Sequence, residues 1–288
     1  MSTKKCVNKG YCLCSDSDIL SVESILPFLH KKETAGKIHI YGSLESTNKT
    51  AKEMAICGAE HGTIIIADYQ VAGKGRFNRS FFSPPGHGIY LSLILRPVQL
   101  HLLSNSTLIT SYAAVSVCEA IETTTEKTPK IKWINDIYLN GKKICGILTE
   151  AVTNFETGSM QWIVVGIGIN FTVPTGGFPH DIKYKADAVF SDSIPNITRN
   201  RLIAEIINRM LVFEESQSDS KLILSKYRKR LMMLGEKVII NGQNEPYEAT
   251  AIDIDEAGHL IVQKDNGEVL TLAAGEISIC IQQGLDPA

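Results

Sequence analysis

Apolar positions along this chain recur with two periods, near two and near 3.6 residues, and the switches between them outline the fold. Ile38 to Tyr41 reads as a strand. Ser46, Thr47 and Asn48 are capping-type residues ahead of a helix expected from about Lys49 to Cys57, which Gly58 stops. Thr63 to Ala67 is a short apolar run expected as a buried strand; it leads into a glycine and basic segment, Gln70 to Arg79, and a further strand is expected at Ile89 to Leu95. Leu108 to Thr123 carries helical spacing and should cover one face of a sheet. Strands are then expected at Lys130 to Trp133, Ile137 to Leu139 and Lys143 to Ala151, with Asn140-Gly141 as a hairpin turn, and at Gln161 to Ile167. Helices resume at Arg199 to Glu215, where Leu202, Ile206 and Met210 share one face, and at Leu222 to Leu234.

After Gly235 the texture changes to short strands separated by tight turns, at Lys237 to Ile240, Tyr247 to Ile254, Leu260 to Gln263, Glu268 to Leu272 and Ile277 to Ile281. Strands this short and regular predict a small β-barrel, with a domain boundary near 234–236. Residues 1–36 read as irregular and polar, apart from one apolar-periodic stretch at Ile19 to Leu29. Pro174 to Ser193 reads as a long loop with at most a short helical turn, and loops beyond about 12–15 residues are usually functional or disordered.

Length and composition narrow the class. At roughly 100–200 residues per domain, 288 residues make about two domains. The 29 Lys and Arg against 31 Asp and Glu disfavour a globally basic nucleic-acid binder, though not a local basic patch. No apolar run approaches the ~18–20 residues needed to span a bilayer, and no apolar signal-peptide core follows Met1, so cytoplasm is the expected compartment. The 7 cysteines are odd in number, and the cluster Cys6, Cys12, Cys14 lacks the second half of a zinc site. Histidines stand singly, with no HxH or HExxH, so metalloenzyme chemistry is not expected.

Three segments could carry chemistry. Lys74, Arg76 and Arg79 surround Gly73 and Gly75 directly after a buried strand; glycines let backbone N–H groups approach an anion, and the cations would neutralise a carboxylate or phosphate. The segment is not a Walker A loop, and its bland reading is a solvated basic loop. Lys132, Trp133, Asn135, Asp136 and then Lys143 would gather a carboxylate, an amide and cations at one end of the sheet, or simply form a hairpin with a core tryptophan. Gly166-Ile-Gly168-Ile-Asn170 lacks the third glycine and following helix of a dinucleotide fingerprint; its glycines mark close backbone approach or a tight strand end.

Taken in order, Ser46-Thr-Asn48, Gln70 with Gly73-Lys-Gly-Arg76 and Arg79, Lys132-Trp-Ile-Asn-Asp136, Lys142-Lys143 with Gly146, and Gly166 to Asn170 resemble the motifs of biotin protein ligases, over about residues 37–283. Gly275-Glu-Ile-Ser-Ile279 near the end is similar as well. The resemblance implies an α+β fold, with a mixed β-sheet covered by helices and a small C-terminal SH3-like β-barrel. It divides the chain into an N-terminal stub at 1–36, a catalytic biotin/ATP domain at 37–234 and the C-terminal domain at 235–288. It further implies activation of biotin by ATP, with Mg2+, to biotinyl-5′-AMP, and transfer of biotin to a lysine of a biotin carboxyl carrier protein.

By the same resemblance, biotin contacts fall on Ser46, Thr47, Asn48, Gln70, Lys74, Gly75, Arg76 and Lys143. Nucleotide contacts fall on Arg79, Phe81, Lys132, Asn135 and Asn170, and the chemistry on Lys143, Arg76 and Asp136. The chain departs from the family pattern at Lys74, Asn78 and Phe81, where Arg, Gly and Trp are common, and at Ile134, commonly Pro. Lys74 keeps charge without the bidentate fork, and Phe81 keeps an aromatic face of smaller area.

Asn8-Lys-Gly-Tyr11 resembles the last wing strand of a winged helix, but residues 1–36 are too short for a recognition helix and its support, so no specific DNA binding is expected. The expected form is a monomer or homodimer with no membrane association. Competing readings are a lipoate or octanoate protein ligase on the same fold, a biotin-sensing repressor, and a non-catalytic ligand-binding module.

Overall fold

The computed structural model describes residues 3–6, 10–13, 17–96, 106–153, 160–212, 220–241 and 245–279. Cys14, Asn8 and the expected ends at Glu215 and Ile281 lie outside them. Strands β1 (Thr3–Cys6) and β2 (Gly10–Leu13) form an antiparallel hairpin.

The larger unit is built on a seven-stranded sheet. Its strands are β3 (Ile38–Tyr41), β4 (Thr63–Ala67), β5 (Gly88–Leu95), β6 (Lys130–Lys132), β7 (Asp136–Leu139), β8 (Lys142–Thr153) and β9 (Met160–Asn170), in the order β3-β4-β5-β9-β8-β7-β6. Only β3 and β4 run parallel; every other neighbouring pair is antiparallel. The mixed sheet is as expected, with boundaries shifted by up to three residues. The principal difference at the start is helix α2, which spans Thr47–Ile56 and so begins two residues before Lys49.

Side chains alternate across the strands, and the two faces are covered differently. On one face Ile64 and Ile66, Leu91 and Leu93, and Ile163, Val165, Ile167 and Ile169 join the main core with α3 (Ser106–Thr125), α4 (Arg199–Val212) and α5 (Ser220–Arg230). On the other face Ile65, Ile94, Trp162 and Val164 pack beneath Ala51 and Ala55 of α2. The small alanines let α2 lie close to the sheet, so its first turn reaches the middle strands. Helix α5 ends at Arg230, short of the expected Leu234, where the chain passes into turns.

Residues 17–36 are not a detached stub. After the short helix α1 (Val22–Ile25), Ile25 and Leu29 are buried in the main core. Asp18 takes hydrogen bonds of 2.6 Å from both the backbone N–H and Nε of Arg199. Asn208 of α4 accepts from the His30 N–H and donates to the Phe28 carbonyl. The apolar-periodic stretch at Ile19 to Leu29 thus supplies core residues, while its backbone partners on α4 were not legible in the sequence.

The second unit is an all-antiparallel five-stranded sheet of β10 (Lys237–Asn241), β11 (Tyr247–Ile254), β12 (Leu260–Gln263), β13 (Val269–Leu272) and β14 (Glu276–Ile279), in the order β13-β12-β11-β10-β14. This agrees with the expected small C-terminal β unit, although its described strand pairings do not close a barrel. Trp133 anchors the two units together: its indole Nε1 donates 3.0 Å to the Gly258 carbonyl, and Gly258 sits against Thr107 and Ser111 of α3. Among the described residues no helix is long and apolar enough to cross a membrane.

Candidate active site

Register turns the strand pattern into a cavity floor. Tyr90, Gly168, Gly146 and Asp136 are successive cross-strand partners on β5, β9, β8 and β7, and Lys132 of β6 pairs with Asp136. The next row is Ser92, Gly166 and Leu148. Each row has glycine at its centre, and Gly166 and Gly168 each make room for one side chain. A Cβ on Gly166 would stand 2.0 Å from Asn48 Oδ1, and one on Gly168 would stand 2.6 Å from the Phe81 ring. The glycine pair therefore marks close approach by side chains, one of the two readings open in the sequence.

Above these rows lies a cavity of about 600 Å³. Every site residue expected from the sequence lines it: Ser46, Thr47, Asn48, Gln70, Lys74, Gly75, Arg76, Arg79, Phe81, Lys132, Asn135, Asp136, Lys143 and Asn170.

One end is neutral. Ser46 is the N-cap residue of α2 but makes no side-chain cap bond, so its buried hydroxyl is left on the cavity wall. The Thr47 N–H donates 2.8 Å to Gln70 Oε1, which orients the Gln70 amide, and Gln70 Nε2 donates 2.9 Å to Ser83 Oγ. Asn48 Nδ2 donates to the Leu148 carbonyl at 3.2 Å and to Glu150 Oε2 at 2.8 Å. Ser92 Oγ lies 2.6 Å from Asn48 Oδ1 and 2.8 Å from Thr47 Oγ1. Both Asn48 donors are thus engaged within the protein, which makes its side chain a support for the wall.

The other end is cationic. Between β7 and β8 the register slips: Ile137 pairs with Cys145 but Tyr138 pairs with Lys143, leaving Ile144 as the extra residue of a bulge. Strict alternation would point Lys143 into the core; instead Ile144 and Cys145 are both buried there and Lys143 swings to the cavity. Its Nζ lies 2.7 Å from Asp136 Oδ1. Burial holds the Lys132 ammonium below its ordinary pKa, with Asp136 and Glu276 opposing the shift. Such a cation, short of solvent, would gain from a bound phosphate.

Arg76 reaches in from the glycine-basic loop, donating to Asn135 Oδ1 at 3.1 Å and to the Gly275 carbonyl at 3.0 Å. Its half-buried position lowers its pKa through desolvation, opposed by Asp136. Arg79 forms a two-pronged pair with Glu276, both contacts 2.6 Å, so its charge is directed to the C-terminal sheet. The same pair holds the Glu276 carboxyl below the usual range. Asn135 donates 2.8 Å to the Ile147 carbonyl, and Tyr227 fixes the residue before it through a 2.8 Å bond to the Ile134 carbonyl. The Trp133–Ile134 peptide is cis.

Sequence reasoning missed Ser92, Ser83 and Glu150, none of which lies in a recognisable motif. It also missed how the loop after β9 is fastened. The Lys143 N–H donates 2.9 Å to the Lys185 carbonyl and the Asp187 N–H donates 2.8 Å to the Lys143 carbonyl, while Ala188, Val189 and Phe190 are buried. The expected long loop is therefore anchored on Lys143, which also presents its ammonium to the cavity.

Residues 41–170 match the model of the Biotin/lipoate A/B protein ligase family, and residues 233–279 match that of the Biotin protein ligase C terminal domain. The chain is 36% identical over 269 residues to the bifunctional ligase/repressor BirA of Bacillus spizizenii, covering 90% of this chain and 79% of that protein. It is 26% identical to the biotin–[acetyl-CoA-carboxylase] ligase of Mycobacterium tuberculosis, over 84% of this chain and 88% of that one. Among solved structures, the biotin protein ligase of Aquifex aeolicus in complex with biotin and ATP superposes with a TM-score of 0.71 at 26% identity, covering 84% of this chain and 97% of that chain.

Proposed function

Because this chain belongs to the biotin protein ligase family, we infer that this cavity joins biotin to ATP and then hands the biotin on. The protein is a ligase that makes biotinyl-5′-AMP from biotin and ATP, with release of pyrophosphate, and transfers biotin to a lysine of an acceptor protein. The acceptor proposed here is a biotin carboxyl carrier domain of acetyl-CoA carboxylase or a related carboxylase. The observation that carries the reading is the division of the cavity into a neutral hydrogen-bonding end and a cationic end on one glycine floor.

Biotin presents a neutral cyclic urea at one end and a carboxylate at the other. The urea fits against Ser46, Thr47 and Gln70, whose hydroxyl and amide groups can supply both donors and acceptors. The carboxylate tail then points to Lys143, with Lys74 and Gly75 closing the loop side. Phe81 offers an aromatic face beside Lys132, Asn135 and Asn170 for the nucleotide. Joining a carboxylate to the α-phosphate brings two anions together, so a cation touching both strengthens its interaction as charge builds. Asp136, already 2.7 Å from Lys143, is placed to orient the incoming lysine amine or accept its proton once the ion pair opens.

Mg2+ is proposed as the partner of ATP. Among the described residues no three His, Cys, Asp or Glu side chains gather into a metal cage, and Asp136 and Glu276 are already paired with cations. The donor set therefore fits an ion held mainly by phosphate oxygens and water.

The test is pyrophosphate release from ATP with biotin, with lipoate and with no acid. Release with biotin alone is expected; equal turnover with lipoate would favour the lipoate ligase reading. Arg76 is proposed to retain the adenylate, because its planar guanidinium can hold a phosphate at the loop side of the cavity. Arg76→Gly should still make biotinyl-5′-AMP but release it, labelling lysines of bystander proteins. Labelling confined to the carrier domain in that variant would remove Arg76 from this role.

A further inference from the structure

Counting hydrogens at the neutral end gives it a direction. Glu150 and the Leu148 carbonyl can only accept, so the two hydrogens of Asn48 Nδ2 are committed to them and Oδ1 must face Ser92. The 2.6 Å contact between Ser92 Oγ and Asn48 Oδ1 then requires the single hydroxyl hydrogen of Ser92. The 2.8 Å contact between Ser92 Oγ and Thr47 Oγ1 must be filled from the other side, by the Thr47 hydroxyl hydrogen. Thr47 could alternatively donate to Gln70 Oε1, but that contact is longer, at 3.1 Å, and the oxygen already accepts the Thr47 N–H.

From this chain we propose that Ser92 and Glu150 are positioning residues that make Thr47 an acceptor, and so select a substrate ring that carries an N–H. The proposal rests on the reading of this cavity as a biotin site. The relay runs from the Glu150 carboxylate through Asn48 and Ser92 to Thr47, which lines the cavity and keeps its oxygen lone pairs free to accept. Ser92 is wholly buried, and Thr47 and Asn48 are nearly so, so no water competes to reverse the order. Lys52 Nζ lies 2.7 Å from Glu150 Oε1, so the far end of the relay is fixed by an ion pair. A cyclic urea satisfies such an end through its N–H. A dithiolane ring or a plain alkyl chain has no hydrogen to give and would leave the buried Thr47 oxygen with no donor to accept from, the situation that sites built around a substrate N–H reject most strongly.

The test compares biotin with its two cyclic carbamate analogues, in each of which one ring N–H is replaced by oxygen, by pyrophosphate release. The parent should use biotin and discriminate against at least one carbamate. Ser92→Ala frees the Thr47 hydroxyl to turn and donate. It should raise KM for biotin about tenfold, as for loss of one buried hydrogen bond. It should also shrink the urea-over-carbamate ratio by at least as much, while kcat and KM for ATP stay within about twofold of the parent. Glu150→Ala should move the ratio in the same direction, whereas Glu150→Gln, whose amide oxygen can still accept from Asn48, should stay near the parent. Glu150 is partly exposed, so its variants carry the test if Ser92→Ala folds poorly. An unchanged ratio in both Ser92→Ala and Glu150→Ala would overturn the relay. A parent that forms no adenylate from biotin would overturn the biotin reading itself, a separate outcome.

Discussion

Lys143→Ala should lower biotin-dependent pyrophosphate release by about 10²–10³-fold in a protein that still folds, the scale for removing one preorganised group that stabilises transition-state charge. The side chain stands on the cavity only because the β8 bulge takes up Ile144 and reverses the alternation. Its backbone is held from both sides by Lys185 and Asp187, so the ammonium is positioned before substrate arrives. Lys132 is buried enough to have its pKa lowered, and Lys74 is exposed on the loop, which leaves Lys143 as the cation best placed to meet both anions. The loss should appear mainly in kcat, since the interaction grows as the mixed anhydride forms. Adenylate formation at nearly the parent rate would remove Lys143 from this role and direct attention to Lys132 or Lys74.

Gly166→Ala should raise KM for biotin by about 100-fold while leaving the sheet intact. The added methyl would stand 2.0 Å from Asn48 Oδ1 and 2.7 Å from its Cγ, a distance that no rotamer of the methyl can relieve. Asn48 must move, and its bonds to Ser92, Leu148 and Glu150 are lost together. Leaving buried polar groups unpartnered costs ~1–3 kcal/mol each, so about two of them suffice for the expected change. A double-mutant cycle checks the cause: once Asn48→Ala is present, adding Gly166→Ala should cost little more, because the clashing amide is gone. Additive losses would mean that the methyl acts somewhere other than on Asn48.

The parts legible in the sequence are those set by local pattern. Thr63 to Ala67 and Tyr247 to Ile254 were bounded to the residue by their apolar runs and flanking turns, and the helix over α3 by its spacing. The site motifs were legible because each is short and lies in one segment. Ser92 and Glu150 were not: each sits in an ordinary strand and joins Asn48 only through the β5-β9-β8 register, which no local pattern encodes. The Ile144 bulge was hidden for a related reason, since Lys143 to Ala151 reads as a continuous strand and only the pairing of β8 with β7 around Tyr138 shows the extra residue. Ser46, Thr47 and Asn48 were legible as capping types, yet their side chains serve the cavity wall, with Ser46 making no cap bond at all. The contact of the C-terminal sheet with the basic loop, through Gly275 and Glu276, depends on tertiary docking and was equally out of reach.

The central claim is that one glycine-floored cavity holds a cyclic urea at its neutral end and joins carboxylate to phosphate at its cationic end. It is tested most directly by determining the structure of the protein with biotinyl-5′-AMP bound. The ring should lie within hydrogen-bond distance of Thr47 and Gln70, with the phosphate against Lys143 and Arg76 and the adenine near Phe81. A ligand lying the other way round, or a phosphate contacting neither Lys143 nor Arg76, would contradict the account.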